Sequence, residues 1–388
     1  MRAAFRSKLP DVGTTIFTVI SRRAREVGAL NLGQGFPDYP IDPLLTDLAS
    51  EAMAQGHNQY APMEGIMELR ERIALKLAAT YPGLTADPES QITVTMGATE
   101  AIFSAIQATI GPGDEAIAFD PAYDSYEPAV RLAGGRCIRL PLMPPEFRYD
   151  WDAVRAAIND RTRLVLFNSP QNPACTVASV EDLNALAEVI RGRDIYVLSD
   201  EVYEHVTFDG RPHSTVLMHP ELAGKSFVVF SFGKTLHATG MRIGYCVAPV
   251  ELTRELRKVH QFNTFSIATA AQVAIARYLE RKPDSWRALP GFFEAKRDRL
   301  RTALATSGFR LPPAQGTYFQ LLDFSAFAPP GDVEFAERLL TEAGVATIPL
   351  SPFYARPQPL SVLRLCVAKQ DSTLDEAARR LNELARRL

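Results

Sequence analysis

Phe227-Val228-Val229-Phe230-Ser231-Phe232-Gly233-Lys234 is the stretch on which the reading of this chain turns. A short apolar run rich in Val and Phe suits a buried strand. It stops at a small residue, a glycine and an amine. Open α/β sheets bind their ligands at the carboxyl ends of the strands, so Lys234 stands where such a sheet presents its chemistry. Partial desolvation lowers a lysine's basicity and makes it a nucleophile toward an aldehyde. On this segment alone, a surface lysine opening a helix is the equal alternative.

The flanking sequence repeats the pattern. Strands are expected at 92–94, 115–119, 163–167, 195–198, 226–230 and 243–247, with helices at 99–108 and 180–190. Short buried strands alternating with helices imply a mainly parallel sheet covered on both faces. Upstream, Thr14 and Thr15 can cap an amphipathic helix through Ile16, Phe17, Ile20 and Ala24, and 30–38 reads as a strand entering a glycine-permissive loop. After Lys282-Pro283-Asp284 the rhythm changes to helix 290–306, strand 317–322, helix 332–342, strands 346–350 and 363–367, and helix 374–388. The expected fold class is α/β: a three-layer α/β/α large domain with a mainly parallel mixed sheet, plus a smaller α+β domain. Residues 1–40 are assigned to an N-terminal arm and part of the small domain, 41–284 to the large cofactor-binding domain, and 285–388 to the small C-terminal domain.

Bulk properties narrow the function. The 388 residues are 46% hydrophobic and 22% charged, with net charge −3, which gives no reason to expect nucleic acid or an anionic membrane as partner. Cys137, Cys175, Cys246 and Cys366 are scattered without metal-ligand spacing and read as free thiols of a reducing, cytoplasmic compartment. No apolar run reaches membrane-spanning length. Arg2, Arg6 and Lys8 are followed by no continuous apolar stretch, so the start reads as a structural leader.

The polar residues that follow the strands are the informative ones. Strand 92–94 runs into Met96-Gly97-Ala98-Thr99-Glu100, whose small residues expose backbone N–H groups at a helix start and can form a phosphate cup. Strand 163–167 runs into Asn168-Ser169-Pro170-Gln171-Asn172-Pro173, a rigid loop offering amides. Strand 195–198 runs into Ser199-Asp200-Glu201-Val202-Tyr203; a carboxylate just past a buried strand is costly without a cation, unless it merely caps a helix. Arg242 precedes strand 243–247, close in sequence to Ser231 and Lys234. Phosphate donors, a carboxylate, amide and phenol donors and an amine together form the set that pyridoxal phosphate requires. Walker-type phosphate loops are excluded: ahead of Gly233-Lys234-Thr235 and Gly224-Lys225-Ser226 the earlier glycine is replaced by Val228 and His219.

The chain resembles the fold-type I pyridoxal phosphate aminotransferases of class I/II over essentially its whole length, in particular the methionine/kynurenine/glutamine branch. The resemblance rests on Asn31-Leu32-Gly33-Gln34-Gly35-Phe36-Pro37-Asp38, Asn58-Gln59-Tyr60-Ala61-Pro62, Gly97-Ala98-Thr99-Glu100 and Asp120-Pro121-Ala122-Tyr123-Asp124-Ser125-Tyr126. It rests equally on the loops at Asn168, Asp200 and Lys234 quoted above and on Arg364-Leu365. It implies that Lys234 binds the cofactor aldehyde covalently and that Asp200 partners the ring nitrogen. Asn172 and Tyr203 are implied to bond the ring oxygen. Gly97, Ala98, Thr99, Ser231 and Arg242 are implied to hold the phosphate, with Tyr123 stacking on the ring and Tyr60 arriving from the second subunit of a homodimer. Lys234, Asp200 and Tyr203 are the implied catalytic set. Arg364 is implied to clamp the substrate carboxylate, helped by Asn172 and the Gly35 backbone. Its position between Leu363 and Leu365 independently calls for a buried anion partner.

Phe17, Phe36 and Tyr60 are expected to contact substrate, with Ile16, Tyr39, Phe265 and Phe353 as further side-chain candidates. No second arginine suited to a distal carboxylate stands out, which favours large uncharged amino acids: methionine, aromatic residues, glutamine or kynurenine. The activity implied is amino-group transfer between such an L-amino acid and a 2-oxo acid. The same residues would serve a cysteine-conjugate β-lyase, or a pyridoxal-sensing regulator with an added DNA-binding module.

Overall fold

The computed structural model describes residues 6–356 and 358–388. Arg2 of the leader lies outside them. Strands β1 (Leu30–Asn31), β2 (Ile92–Thr95), β3 (Glu115–Asp120), β4 (Arg136–Pro141), β5 (Thr162–Asn168), β6 (Tyr196–Asp200), β7 (Ser226–Ser231) and β8 (Gly244–Val247) come first in the chain. They are followed by β9 (Phe319–Asp323), β10 (Val345–Ala346), β11 (Ile348–Pro349) and β12 (Val362–Cys366). Seven of them make one sheet in the order β2-β8-β7-β6-β5-β3-β4. Only β8 runs antiparallel to its neighbours. The expected α/β class and mainly parallel mixed sheet are therefore present.

Alternation along the central strands creates the three layers. On β5, Leu164 and Leu166 enter one apolar cluster while Val165 and Phe167 enter another; on β7, Phe227 and Val229 part from Val228 and Phe230 in the same way. Side chains two apart share a face, so a strand apolar at every position is covered on both sides. Each such side chain stabilises the fold by roughly 1.5–3 kcal/mol on burial.

Local signals set the helix ends. Helix α1 (Ile16–Val27) begins where the Thr15 hydroxyl accepts from the Thr18 N–H and ends at Gly28, whose φ of 66° suits a residue without Cβ. Helices α2 (Pro43–Ala54), α3 (Met67–Thr80) and α4 (Gly97–Thr109) follow. A second sheet, β11-β12-β9, is antiparallel, and the N-terminal β1 pairs in parallel with β10.

The structure departs from the sequence reading in three places. The expected strand 346–350 is two short strands, β10 and β11, that belong to different sheets. The helix expected over 332–342 is α-helical at Asp332–Arg338 and continues as a π-turn at Leu339–Ala343. Strand β4 was not anticipated: as an edge strand with ends exposed and the middle half-buried, it lacks the apolar run that marks a central strand.

Candidate active site

The carboxyl ends of β5, β6 and β7 deliver the chemistry to one place. Asn168 closes β5 and is the direct neighbour of Asp200, which closes β6, while Ser231 closes β7 opposite Gly244. Ala98, Thr99, Tyr123, Asn172, Asp200, Tyr203, Ser231, Lys234 and Arg242 line a single cavity there, together with Ile102, Asn168 and Val202. The segment that opened the sequence reading thus ends as expected, with Lys234 on a one-turn helix (Phe232–Thr235) directly after the strand.

Lys234 Nζ lies 5.5 Å from the ring centre of Tyr318 and 5.7 Å from that of Tyr203. Although the side chain opens onto the cavity, surrounding protein desolvates the amine and pulls its pKa down to about 8. At neutral pH a usable fraction is free amine. Arg364 and Arg242 push in the same direction, while Asp200 opposes them.

Asp200 is 6% exposed. Burial raises its carboxyl above the usual range, against a 2.6 Å hydrogen bond donated to Oδ2 by the Tyr126 hydroxyl. A buried carboxylate with a single side-chain donor still lacks a cationic partner, which a protonated ring nitrogen would supply. Asn168 keeps the neighbouring loop in register: its Nδ2 donates to the Asp200 carbonyl at 2.8 Å, and its Oδ1 accepts from the Asn172 N–H at 2.9 Å.

At the start of α4, Gly97 has a φ of +72°, and a Cβ there would come within 2.6 Å of Arg242 Nη2. The absent side chain lets the guanidinium lie against the helix start, next to amides that carry no intrahelical partner. Two sources of positive potential converge on one spot, as a phosphate site requires.

Arg364 is 1% exposed and lies in β12. Its Nη1 donates to Asn172 Oδ1 at 2.6 Å and its Nη2 to the Gly33 carbonyl at 2.8 Å, and the guanidinium stacks 3.8 Å over Phe319. Its Nε has no hydrogen-bond partner. An orphaned N–H on a buried guanidinium fits a carboxylate ligand, because leaving it unsatisfied is costly. The residues present therefore fit both pyridoxal phosphate and a carboxylate-bearing substrate.

The other expected contacts divide into groups. Phe17 lies 5.1 Å from the Arg364 guanidinium and 5.3 Å from Phe353. The Gly35 carbonyl accepts from the Tyr318 hydroxyl at 2.7 Å. Phe36 is half-exposed, with its ring 5.1 Å from Lys369 Nζ. Tyr60 is 84% exposed and packs edge-on against Phe265, outside the cavity lining of its own chain. Tyr39 packs against His237 and Phe292 instead.

Sequence reasoning assigned no role to Asn168, Tyr126 or Tyr318. The first two stand inside quoted motifs, Asn168 as the last residue of β5, and that position was a usable signal. Tyr318 lay within an expected strand and carried none. A wider cavity of about 700 Å³, bordered by Tyr81, Leu183, His213 and Met218, contains no comparable amine–carboxylate set.

Comparison with known proteins matches residues 27–381 to the aminotransferase class I and II family. The methionine aminotransferase of Escherichia coli is 50% identical over 97% of this chain and 98% of its own length. The kynurenine–oxoglutarate transaminase 1 of Rattus norvegicus is 30% identical over 97% of this chain and 98% of its own. A crystal structure from Escherichia coli identified with a methionine aminotransferase function superposes with a TM-score of 0.96 at 50% identity, covering 98% of this chain and all of the other. The N-succinyldiaminopimelate aminotransferase structure from Mycobacterium tuberculosis gives 0.94 at 37% identity, with 98% and 100% coverage. The conserved architecture and the cavity at its strand ends place this chain in the class I and II aminotransferases, enzymes of amino-group transfer.

Proposed function

We propose that this enzyme uses pyridoxal 5′-phosphate, held by Lys234, to move amino groups between large uncharged L-amino acids, methionine foremost, and 2-oxo acids. The observation that carries the reading is a softened amine and a buried carboxylate at the strand ends of the central sheet, joined through Asn172 to a buried guanidinium with an orphaned N–H on β12 of the second sheet. The similarity to methionine and kynurenine aminotransferases supports the substrate class. Bound there, the cofactor supplies an aldehyde for amine exchange and a cationic ring that spreads the electron pair left when the α-proton departs.

The chain's own residues do the rest. Lys234 would hold the cofactor through Nζ and, once that amine is free, would take up the substrate's α-proton at Nζ as general base and give it back as general acid. Asp200 would partner the ring nitrogen and keep its proton in place. Asn172 and Tyr203 would hold the ring oxygen, and Tyr123 would pack against the ring. Gly97, Ala98, Thr99, Ser231 and Arg242 receive the phosphate. Arg364 fixes the substrate carboxylate alongside Asn172 and Gly35, with Phe17 and Phe36 bordering the side chain.

In this reading the enzyme works as a homodimer in the cytoplasm, and the exposed Tyr60 of one copy would complete the cavity of the other. The division 1–40, 41–284 and 285–388 describes the domains of each subunit. The experiment is direct: borohydride treatment of the holoprotein should leave a reduced B6 adduct on Lys234, and Lys234→Ala should lose both that adduct and turnover. Normal turnover in Lys234→Ala would end the proposal.

A further inference from the structure

We infer that Lys76, Glu204, Tyr81 and His213 form a buried strut behind the active site that positions Tyr203 and the Asn168–Pro173 loop. The inference rests on the cofactor reading above.

Glu204 follows Tyr203, and the two side chains serve opposite sides of one turn. Tyr203 lines the cavity, whereas the Glu204 side chain is 2% exposed in the interior and pairs with Lys76, itself 1% exposed, through Oε1. Lys76 comes from the middle of α3, more than a hundred residues away, and also donates to the Tyr245 hydroxyl at 3.2 Å. Its ammonium lies 5.6–5.8 Å from the ring centres of Trp286, Phe230 and Tyr245. Burial pushes the Glu204 carboxyl up, but His205 and Lys76 outweigh it and hold it below the usual carboxylate range.

From Glu204 the chain of contacts turns toward the second loop. The Tyr81 hydroxyl lies 3.2 Å from Glu204 Oε2 and 2.7 Å from His213 Nδ1. His213 Nε2 lies 3.2 Å from the Ser169 carbonyl, which can only accept. Nε2 therefore carries hydrogen and Nδ1 of the neutral ring accepts, so the single Tyr81 hydroxyl hydrogen is shared between Nδ1 and Glu204 Oε2 as a three-centre bond weighted toward the shorter contact. Ser169 opens the loop that presents Asn172, and its N–H donates to the Asp200 carbonyl at 3.2 Å.

One polar chain thus ties the back of the Tyr203 turn to the back of the Asn172 loop. Each end supports a donor assigned to the cofactor ring oxygen. Buried polar networks of this kind fix geometry when every member is satisfied. An ion pair at this depth is weak evidence for stability in itself, which leaves orientation as its contribution. These four are positioning residues: none of them lines the cavity that holds Lys234 and Asp200.

The test uses the holoenzyme with two variants. Tyr81→Phe removes one hydroxyl and leaves the ion pair intact. Lys76→Met leaves a buried carboxylate unpaired and lowers stability as well. Three quantities are read: the pyridoxal phosphate dissociation constant, the pH midpoint of the lysine–cofactor absorbance band, and the melting temperature without cofactor. We expect Tyr81→Phe to weaken cofactor binding about tenfold, as loss of an outer supporting contact does at metal sites. It should also move the absorbance midpoint, with a smaller fall in melting temperature than Lys76→Met gives. If Tyr81→Phe binds cofactor and titrates like the parent, the strut is overturned, whatever Lys76→Met does to stability. If the parent itself forms no adduct, the cofactor reading and the strut fall together.

Discussion

Replacing Arg364 with lysine retains the charge and discards the fork. In the parent, Nη1 reaches Asn172 Oδ1 at 2.6 Å, Nη2 reaches the Gly33 carbonyl at 2.8 Å, and the plane stacks 3.8 Å over Phe319. Nε remains free for a ligand. A lysine ammonium is a single point on a flexible stem and cannot reproduce two fixed bonds and a third, unpaired N–H. Losing one hydrogen bond from a charged group to the substrate carboxylate costs about 1.5–3 kcal/mol, which corresponds to a fall of roughly 10–10² in kcat/KM. The assay is the single-turnover half-reaction with L-methionine, followed as loss of the lysine–cofactor absorbance. Benzylamine, which has no carboxylate, is the control and is expected to react equally with both proteins. A methionine rate within threefold of the parent, or an equal loss with benzylamine, would refute the carboxylate assignment.

Two further outcomes follow from the same geometry. Because desolvation draws the Lys234 pKa down to about 8 from the ordinary 10.5, the rate at which cofactor-free protein captures pyridoxal phosphate should rise as pH passes through about 8. Stopped-flow reconstitution across pH 6–10, about two units either side of that pKa, checks this, and an inflection at the ordinary lysine value would contradict it. Gly244→Ala should destabilise severely: its Cβ would meet Gly97 C at 2.7 Å and Ala98 N and Phe230 O at 2.8 Å, all backbone atoms that cannot swing aside. Overpacking of this kind costs about 1–3 kcal/mol or more, so a melting temperature equal to the parent's would show that the β8–α4 approach is looser than described.

Much of the site was legible because its signals are local. A strand's apolar run and the polar residue that ends it lie within eight positions, as at Phe227–Lys234, and parallel pairing then gathers such ends along one edge of the sheet. The burial of Arg364 was legible too, from a guanidinium flanked by leucines in a strand, but the partners within the chain are the uncharged Asn172 Oδ1 and Gly33 carbonyl rather than the expected anion. Edge strand β4 was less so, because half-exposure removes the pattern that burial imposes.

The sequence by itself determined which residues stand at the ends of the central strands, and through them the class of chemistry. Only the tertiary structure decided that Tyr126 reaches Asp200 across 74 positions, that Lys76 meets Glu204 across 128, and that β1 pairs with β10. It also decided that Tyr60 points outward while Phe17 covers Arg364. Periodicity records only whether a residue is buried. Which distant side chain it is buried against depends on the packing of whole layers, and no short stretch of sequence carries that information.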